Sequence, residues 1–205
     1  MHSRLLAITM VLVSVSSLKA QAGPDSIHRR NDCRLAAQII ERGHPAPHEQ
    51  WAYQVAPQCG AALGRAISQR FALMRTSTDT AGLRFLTAPA ARLRDGEIFS
   101  VSLQIASDKG ASAVARPFAF RNLIWLITHG ADLSNFDPWG SSGLGCAGAV
   151  FDRPSYTGAP LPPDFKERVR VVAYDVLRDS TAPRPVRRAA MCAIAYGGWE
   201  RRESW

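Results

Sequence analysis

Of the 205 residues in the chain, 25 are basic and 17 acidic, a net charge of +8 at neutral pH. The excess is moderate: it fits a well-solvated surface with at most weak attraction to anionic polymers or lipid headgroups. Nucleic acid is not expected as a partner of an exported chain, and no segment after the N-terminal leader is long and apolar enough to span a membrane. The leader opens with Met-His-Ser-Arg, continues through an apolar run from Leu5 to about Val15, and reaches the small-x-small site Ala20-Gln21-Ala22. This is the pattern of a secretory signal peptide cut after Ala22. Residues 1–22 are therefore assigned to the leader and 23–205 to a single helical domain. The apolar run is well short of the roughly 20 residues that cross a bilayer. Removing Arg4 and Lys19 leaves 23 basic against 17 acidic residues, or +6. The protein is expected to be periplasmic or extracellular.

After the leader, Asn31 or Asp32 can cap a first helix in which Cys33, Ala36, Ala37 and Ile40 share one face, with Gly43 as its stop. Pro45 and Pro47 enforce a turn, and a short helix with Trp51 and Val55 on one side runs to Pro57. A third helix then presents Cys59, Ala62, Leu63, Ala66 and Ile67 at helical spacing. Asp79 is the N-cap of a fourth helix carrying Leu83, Leu86 and Leu93, which Pro89 kinks or splits. Residues 99–105 alternate apolar and polar as a half-buried strand would. Ile98, Val101 and Ile105 also form a helical face that Asp95 can cap, and helix is the reading adopted. Ser112 caps the next helix, with Pro117 near its first turn. Its stretch from Phe118 to Ile127 is apolar on nearly all sides, as in a buried helix, and Gly130 closes it.

From residue 129 to 162 Gly, Pro, Ser, Asp and Asn dominate and periodicity is lost, which marks a long irregular insertion. Residues 163–196 then form the last helix pair. Pro163 opens a helix with Phe165, Val169, Val172 and Val176 on one face. Pro183 precedes the other, which presents Val186, Ala189, Ala190, Ala193 and Ile194 before Gly197-Gly198. The fold class is thus all-α.

Four cysteines, Cys33, Cys59, Cys146 and Cys192, follow the leader, and an even number in an exported chain points to two disulfides. Of three possible connectivities, Cys33–Cys59 and Cys146–Cys192 each join neighbours in this helical layout. A four-cysteine metal site is disfavoured because no C-x-x-C pair occurs.

Placing Ser107-Asp108 over Arg178-Asp179 brings Ala115-Arg116 over Val186-Arg187, Ala119 over Ala190 and Leu123 over Ile194. The offset is 71 residues, of which the insertion accounts for 34, leaving the 37-residue period of a helical hairpin. The run Asp179-Ser-Thr-Ala-Pro-Arg-Pro-Val186-Arg187-Arg188-Ala189-Ala190 resembles the second-helix entry of a HEAT-type repeat, in which Asp, Pro, Val-Arg and Ala recur. The earlier copy matches less well, with Ala115-Arg116 followed by Pro117. Residues 60–93 make a degenerate first pair. The resemblance implies a short α-solenoid of three hairpins that bury their apolar faces by stacking. The N-terminal helices would cap one end, and the insertion, fastened by Cys146–Cys192, would close the other.

No catalytic or cofactor motif stands up. Gly143-Leu-Gly145-Cys-Ala-Gly148 matches G-x-G-x-x-G, but no strand precedes it and Pro154 stops a following helix. His129, Asp132, Asp137, Ser141 and Ser142 contain the residue types of a serine hydrolase without a G-x-S-x-G elbow. His44 and His48, near Glu41 and Glu49, lack the H-E-x-x-H spacing of a zinc site. Neither cofactor nor metal is expected. Phe136 and Trp139 in the insertion, with Arg184, Arg187 and Arg188 on the last helix, are the candidate partner contacts, because exposed aromatic and Arg side chains dominate protein interfaces. The resulting expectation is an exported protein-binding or scaffold module acting on another envelope or extracellular protein. The alternative is an exported hydrolase using groups of the 129–162 loop.

Overall fold

The computed structural model describes residues 24–43, 46–49, 51–52, 59–90, 93–128, 146 and 156–199. Among these the chain is mostly helical, with almost no strand and with seven α-helices packed on one another. Residues 1–23, and with them the expected leader, lie outside the described residues.

Helix α1 (Pro24–Arg42) starts well before Asn31 or Asp32, the caps expected from the apolar pattern. The physical reason is that the polar residues from Asp25 to Asp32 carry no apolar period, while Pro24 at the first helical position tolerates its missing N–H. The helix buries Ala36, Ile39 and Ile40 and stops at Gly43, whose φ of 70° is a left-handed conformation that glycine adopts without strain. The Gly43 amide bonds back to the carbonyls of Ile39 and Ile40. A 3-10 turn, Pro47–Glu49, follows. Its Glu49 accepts from the Ala46 amide at 2.9 Å and pairs with Arg42, which ties the turn to α1. Residues 53–58, most of the short helix expected before Pro57, lie outside the described residues.

Three helix pairs come next. The first is α2 (Ala61–Leu73) with α3 (Thr80–Ala90), the second α4 (Gly96–Ser107) with α5 (Ala115–Ile127), and the third α6 (Phe165–Arg178) with α7 (Arg184–Gly197). The first helices pack in the order α2, α4, α6 and the second in the order α3, α5, α7, while α1 lies on α2. Two rows of three therefore enclose one core, in which Leu63, Ile67, Phe71, Phe99, Phe120 and Leu123 are fully buried. On α2 the expected apolar face holds at Leu63, Ala66 and Ile67, but Ala62 is exposed. Residues 98–105 are helical. On α7 all five expected positions, Val186, Ala189, Ala190, Ala193 and Ile194, are buried.

The caps explain the helix starts. Asp79 accepts from the Gly82 amide at 2.9 Å, Asp95 from the Glu97 and Ile98 amides, and the Ser112 hydroxyl from the Ala115 amide. Three boundaries differ from expectation. Pro89 ends α3 at Ala90, because it offers no amide and crowds the preceding turn, so Leu93 falls in a two-residue strand, β1 (Leu93–Arg94). Helix α5 ends at Ile127, with the Thr128 hydroxyl turned back to the Ile124 carbonyl, before Gly130, which lies outside the described residues. Helix α6 opens at Phe165, two residues beyond Pro163.

Strand β1 pairs in parallel with β2 (Tyr156–Thr157), with Leu93 opposite Tyr156 and Arg94 opposite Thr157. The returning end of the insertion is thereby held at the entry to α4. Asp95, fully buried, is the hub of this junction. One carboxylate oxygen caps α4 and the other accepts from the Ala159 amide at 2.7 Å, while the Gly96 amide donates to the Ala159 carbonyl. Gly64 on α2 and Gly158 just after β2 leave room for that carboxylate: a Cβ at either would overlap it.

Candidate functional site

The turns inside the second and the third helix pair, α4 to α5 and α6 to α7, have the same construction. Asp108 and Asp179 are the C-cap residues of α4 and α6, each accepting through Oδ1 from the amide two residues on, Gly110 at 2.8 Å and Thr181 at 3.0 Å. The amides of Ala111 and Ala182 bond to the two Asp carbonyls at 3.2 and 3.1 Å. Such Asx turns let a short polar side chain stand in for backbone.

These turns also form a ladder of charge. Arg75, after α2, pairs with Asp108 at 2.6 Å, and Lys109, after α4, pairs with Asp179 at 3.0 Å. Arg116, on α5, is buried beside both rungs: its Nε donates to the Ala106 carbonyl at 3.1 Å, and Asp179 and Asp108 act on it electrostatically. Burial pulls its pKa below the usual guanidinium value and the two carboxylates oppose that pull. Asp179 is held at a pKa of about 2, first by the Thr181 hydroxyl, then by Lys109 and by the Thr181 amide.

At the last helix the ladder stops among the described residues. Helix α7 carries Arg184, Arg187 and Arg188 and no acidic residue. Arg184 is exposed, Arg187 and Arg188 are half-buried, and none of the three has an ion-pair partner among the described residues. Helical geometry puts Arg184, Arg188, Met191 and Ala195 on one outward stripe with Arg187 at its flank. Met191 is 55% exposed. On α6, Arg170 and Arg178 both lie 5.9 Å from the centre of the Tyr174 ring, in cation–π range.

Both disulfides have the expected pairing, Cys33–Cys59 and Cys146–Cys192. The first links α1 to the approach to α2. The second joins a half-buried insertion residue to the fully buried Cys192 of α7. Apart from Cys146 and residues 156–162, the insertion expected to cover the array's second end lies outside the described residues. Position 121, one offset of 71 before Cys192, reaches back toward α3, where the Arg121 guanidinium meets the Thr87 hydroxyl at 3.5 Å. Cys192 itself is fully buried, while its neighbour Met191 is exposed.

Phe136 and Trp139, the two aromatic contact candidates, lie outside the described residues, as do His129, Asp132, Asp137, Ser141, Ser142 and His44. Of the glycine-rich run only Cys146 is described. Among the described residues no cluster of three or more His, Cys, Asp and Glu side chains is found. Glu49 is taken up by Arg42, whose hydrogen bond holds its pKa low. Sequence reasoning missed Tyr174, Met191 and the Asp95 hub. The first two could have been found by carrying the 71-residue offset onto positions Leu103 and Phe120, both of which are buried.

Comparison with family models, with curated proteins and with solved structures finds no match to this chain.

Proposed function

We propose that the chain is an exported protein-binding or scaffold module of the cell envelope, built as a short HEAT-like α-solenoid. Two cross-linked disulfides favour an oxidising compartment, and no described helix is long and apolar enough to cross a membrane. The solenoid reading is supported by the two helix rows and by the matching turns at Asp108 and Asp179. Stacked arrays of this kind expose extended surfaces suited to binding, though architecture alone does not determine activity. The observation that carries the reading is the last helix: three arginines without acidic partners among the described residues, an exposed methionine, and a disulfide fixing an aromatic-bearing insertion to the same helix. Arg and aromatic side chains supply most of the energy of protein interfaces.

The test is affinity capture with in-cell crosslinking, comparing the intact chain with a version in which a Gly/Ser linker replaces residues 131–160 and Cys192→Ser is introduced. A defined partner captured by the intact chain and lost from the altered one supports the proposal. No reproducible protein capture by either form overturns it.

A further inference from the structure

The 71-residue offset between the second and third helix pairs also shows which side of each pair faces its successor. On α4 and α5 that side is formed by Phe99, Leu103, Ala106, Arg116, Phe120 and Leu123, all of them buried. Phe99 meets the Phe165 ring edge-on at 6.1 Å and the Arg168 guanidinium at 5.6 Å, so this side is indeed the one that α6 covers. The corresponding residues of the third pair are Arg170, Tyr174 and Leu177 on α6 and Arg187, Met191 and Ile194 on α7. Their apolar character is kept at four of the six positions, yet all but Ile194 are half-buried or exposed.

The chemistry of what belongs on this face follows from the ladder. Each turn contributes an Asp to the cation of the preceding pair: Asp108 to Arg75 and Asp179 to Lys109, with Arg116 buried between the two carboxylates. Arg187 repeats the position of Arg116 and has no carboxylate partner among the described residues. A second copy presenting the same face would bring two more arginines and no carboxylate among these six positions, which like-charge repulsion disfavours.

We infer that the outer face of the third helix pair docks a helical segment of another protein, one carrying an Asp or Glu that meets Arg187 and apolar side chains that cover Tyr174 and Met191. This rests on the protein-binding reading and names its surface.

The experiment places a photo-activatable benzoylphenylalanine at Met191 in the full-length chain within its native cells. A second position, inside residues 131–160 of the insertion, and a third at Leu35 on α1, far along the array, serve for comparison. The expected result is a Met191 crosslink to one protein, mapped by mass spectrometry to a segment with Asp or Glu within one helical turn of the attachment. Arg187→Glu is expected to reduce its yield tenfold or more, and Arg187→Lys by much less. Melting curves of the purified variants exclude unfolding as the cause. Crosslinks from the insertion alone overturn this docking face and leave protein binding intact. Crosslinks from no position overturn both. A Met191 adduct with a second copy, with lipid, or with a protein segment lacking acidic residues also overturns the inference.

Discussion

At the scale of single residues, Asp95 does the work of a cap and a clasp together. Its two oxygens serve different clients, the α4 amides on one side and the Ala159 amide on the other. Asp95→Asn keeps one acceptor oxygen but turns an amide donor toward one of these clients. The expected outcome is faster hydrogen exchange at the Ala159 amide with α4 still folded. Asp95→Ala should cost about 2–4 kcal/mol in denaturant unfolding, since it removes a cap and leaves buried amides without partners. Asp179 makes a pH prediction. Its folded pKa, about 2, lies below the ordinary 3.8, so its contribution is complete above the ordinary value and is lost as pH falls through the folded one. The melting temperature of the native chain should drop between pH 4 and pH 2, and Asp179→Asn should flatten that drop. If the variant's profile is as steep as the native one, other carboxylates set the acid response.

At the scale of elements, what the sequence disclosed and what it hid have distinct physical causes. Local signals were legible: the caps at Asp79, Asp95 and Ser112, the stops at Gly43 and Gly198, and the buried stripe of α7 each depend on neighbours within one or two turns. Residues 98–105 could be read as helix because Asp95 outweighed a period-two pattern. What stayed hidden depends on distant partners. Pairing of Leu93–Arg94 with Tyr156–Thr157 spans more than sixty residues, and two residues carry no recognisable strand pattern. The early start of α1 left no apolar trace. For the candidate site, Arg184, Arg187 and Arg188 were visible as residues, but recognising the exposed Met191 and the half-buried Tyr174 required knowing which side the next pair covers. Helix α5 illustrates how packing ranks the elements. Its Phe120 is fully buried between pairs, and Phe120→Ala should destabilise the fold by about 3–5 kcal/mol through lost contact and a residual cavity. Met191→Ala, its counterpart by offset, should change unfolding by under about 1 kcal/mol, because an exposed side chain loses little on truncation. Denaturant melts of the two variants side by side check the contrast.

For the molecule as a whole, stability rests on a single core running through both rows, braced by two covalent links that close loops of different length. The bridges span 26 and 46 residues. On the chain-entropy account each should add about 3–4 kcal/mol, the longer slightly more. The double replacement Cys33→Ser with Cys59→Ser is expected to lower unfolding free energy by about 2–4 kcal/mol, and Cys146→Ser with Cys192→Ser by a similar amount. Equilibrium unfolding under oxidising conditions measures both, and a loss well under 1 kcal/mol for either pair would mean that its link staples segments already held by packing.

The pairing carries a further meaning for how the chain comes to be made. The first cysteine is bonded to the second and the third to the fourth, Cys33 to Cys59 and Cys146 to Cys192, with no bridge straddling another. A polypeptide threading into an oxidising space N-terminus first presents its thiols in that same order. Joining each newcomer to the last unpaired thiol then yields the native arrangement directly. On the export route proposed above, such a chain would need an oxidant during its passage and no catalyst of disulfide exchange afterwards.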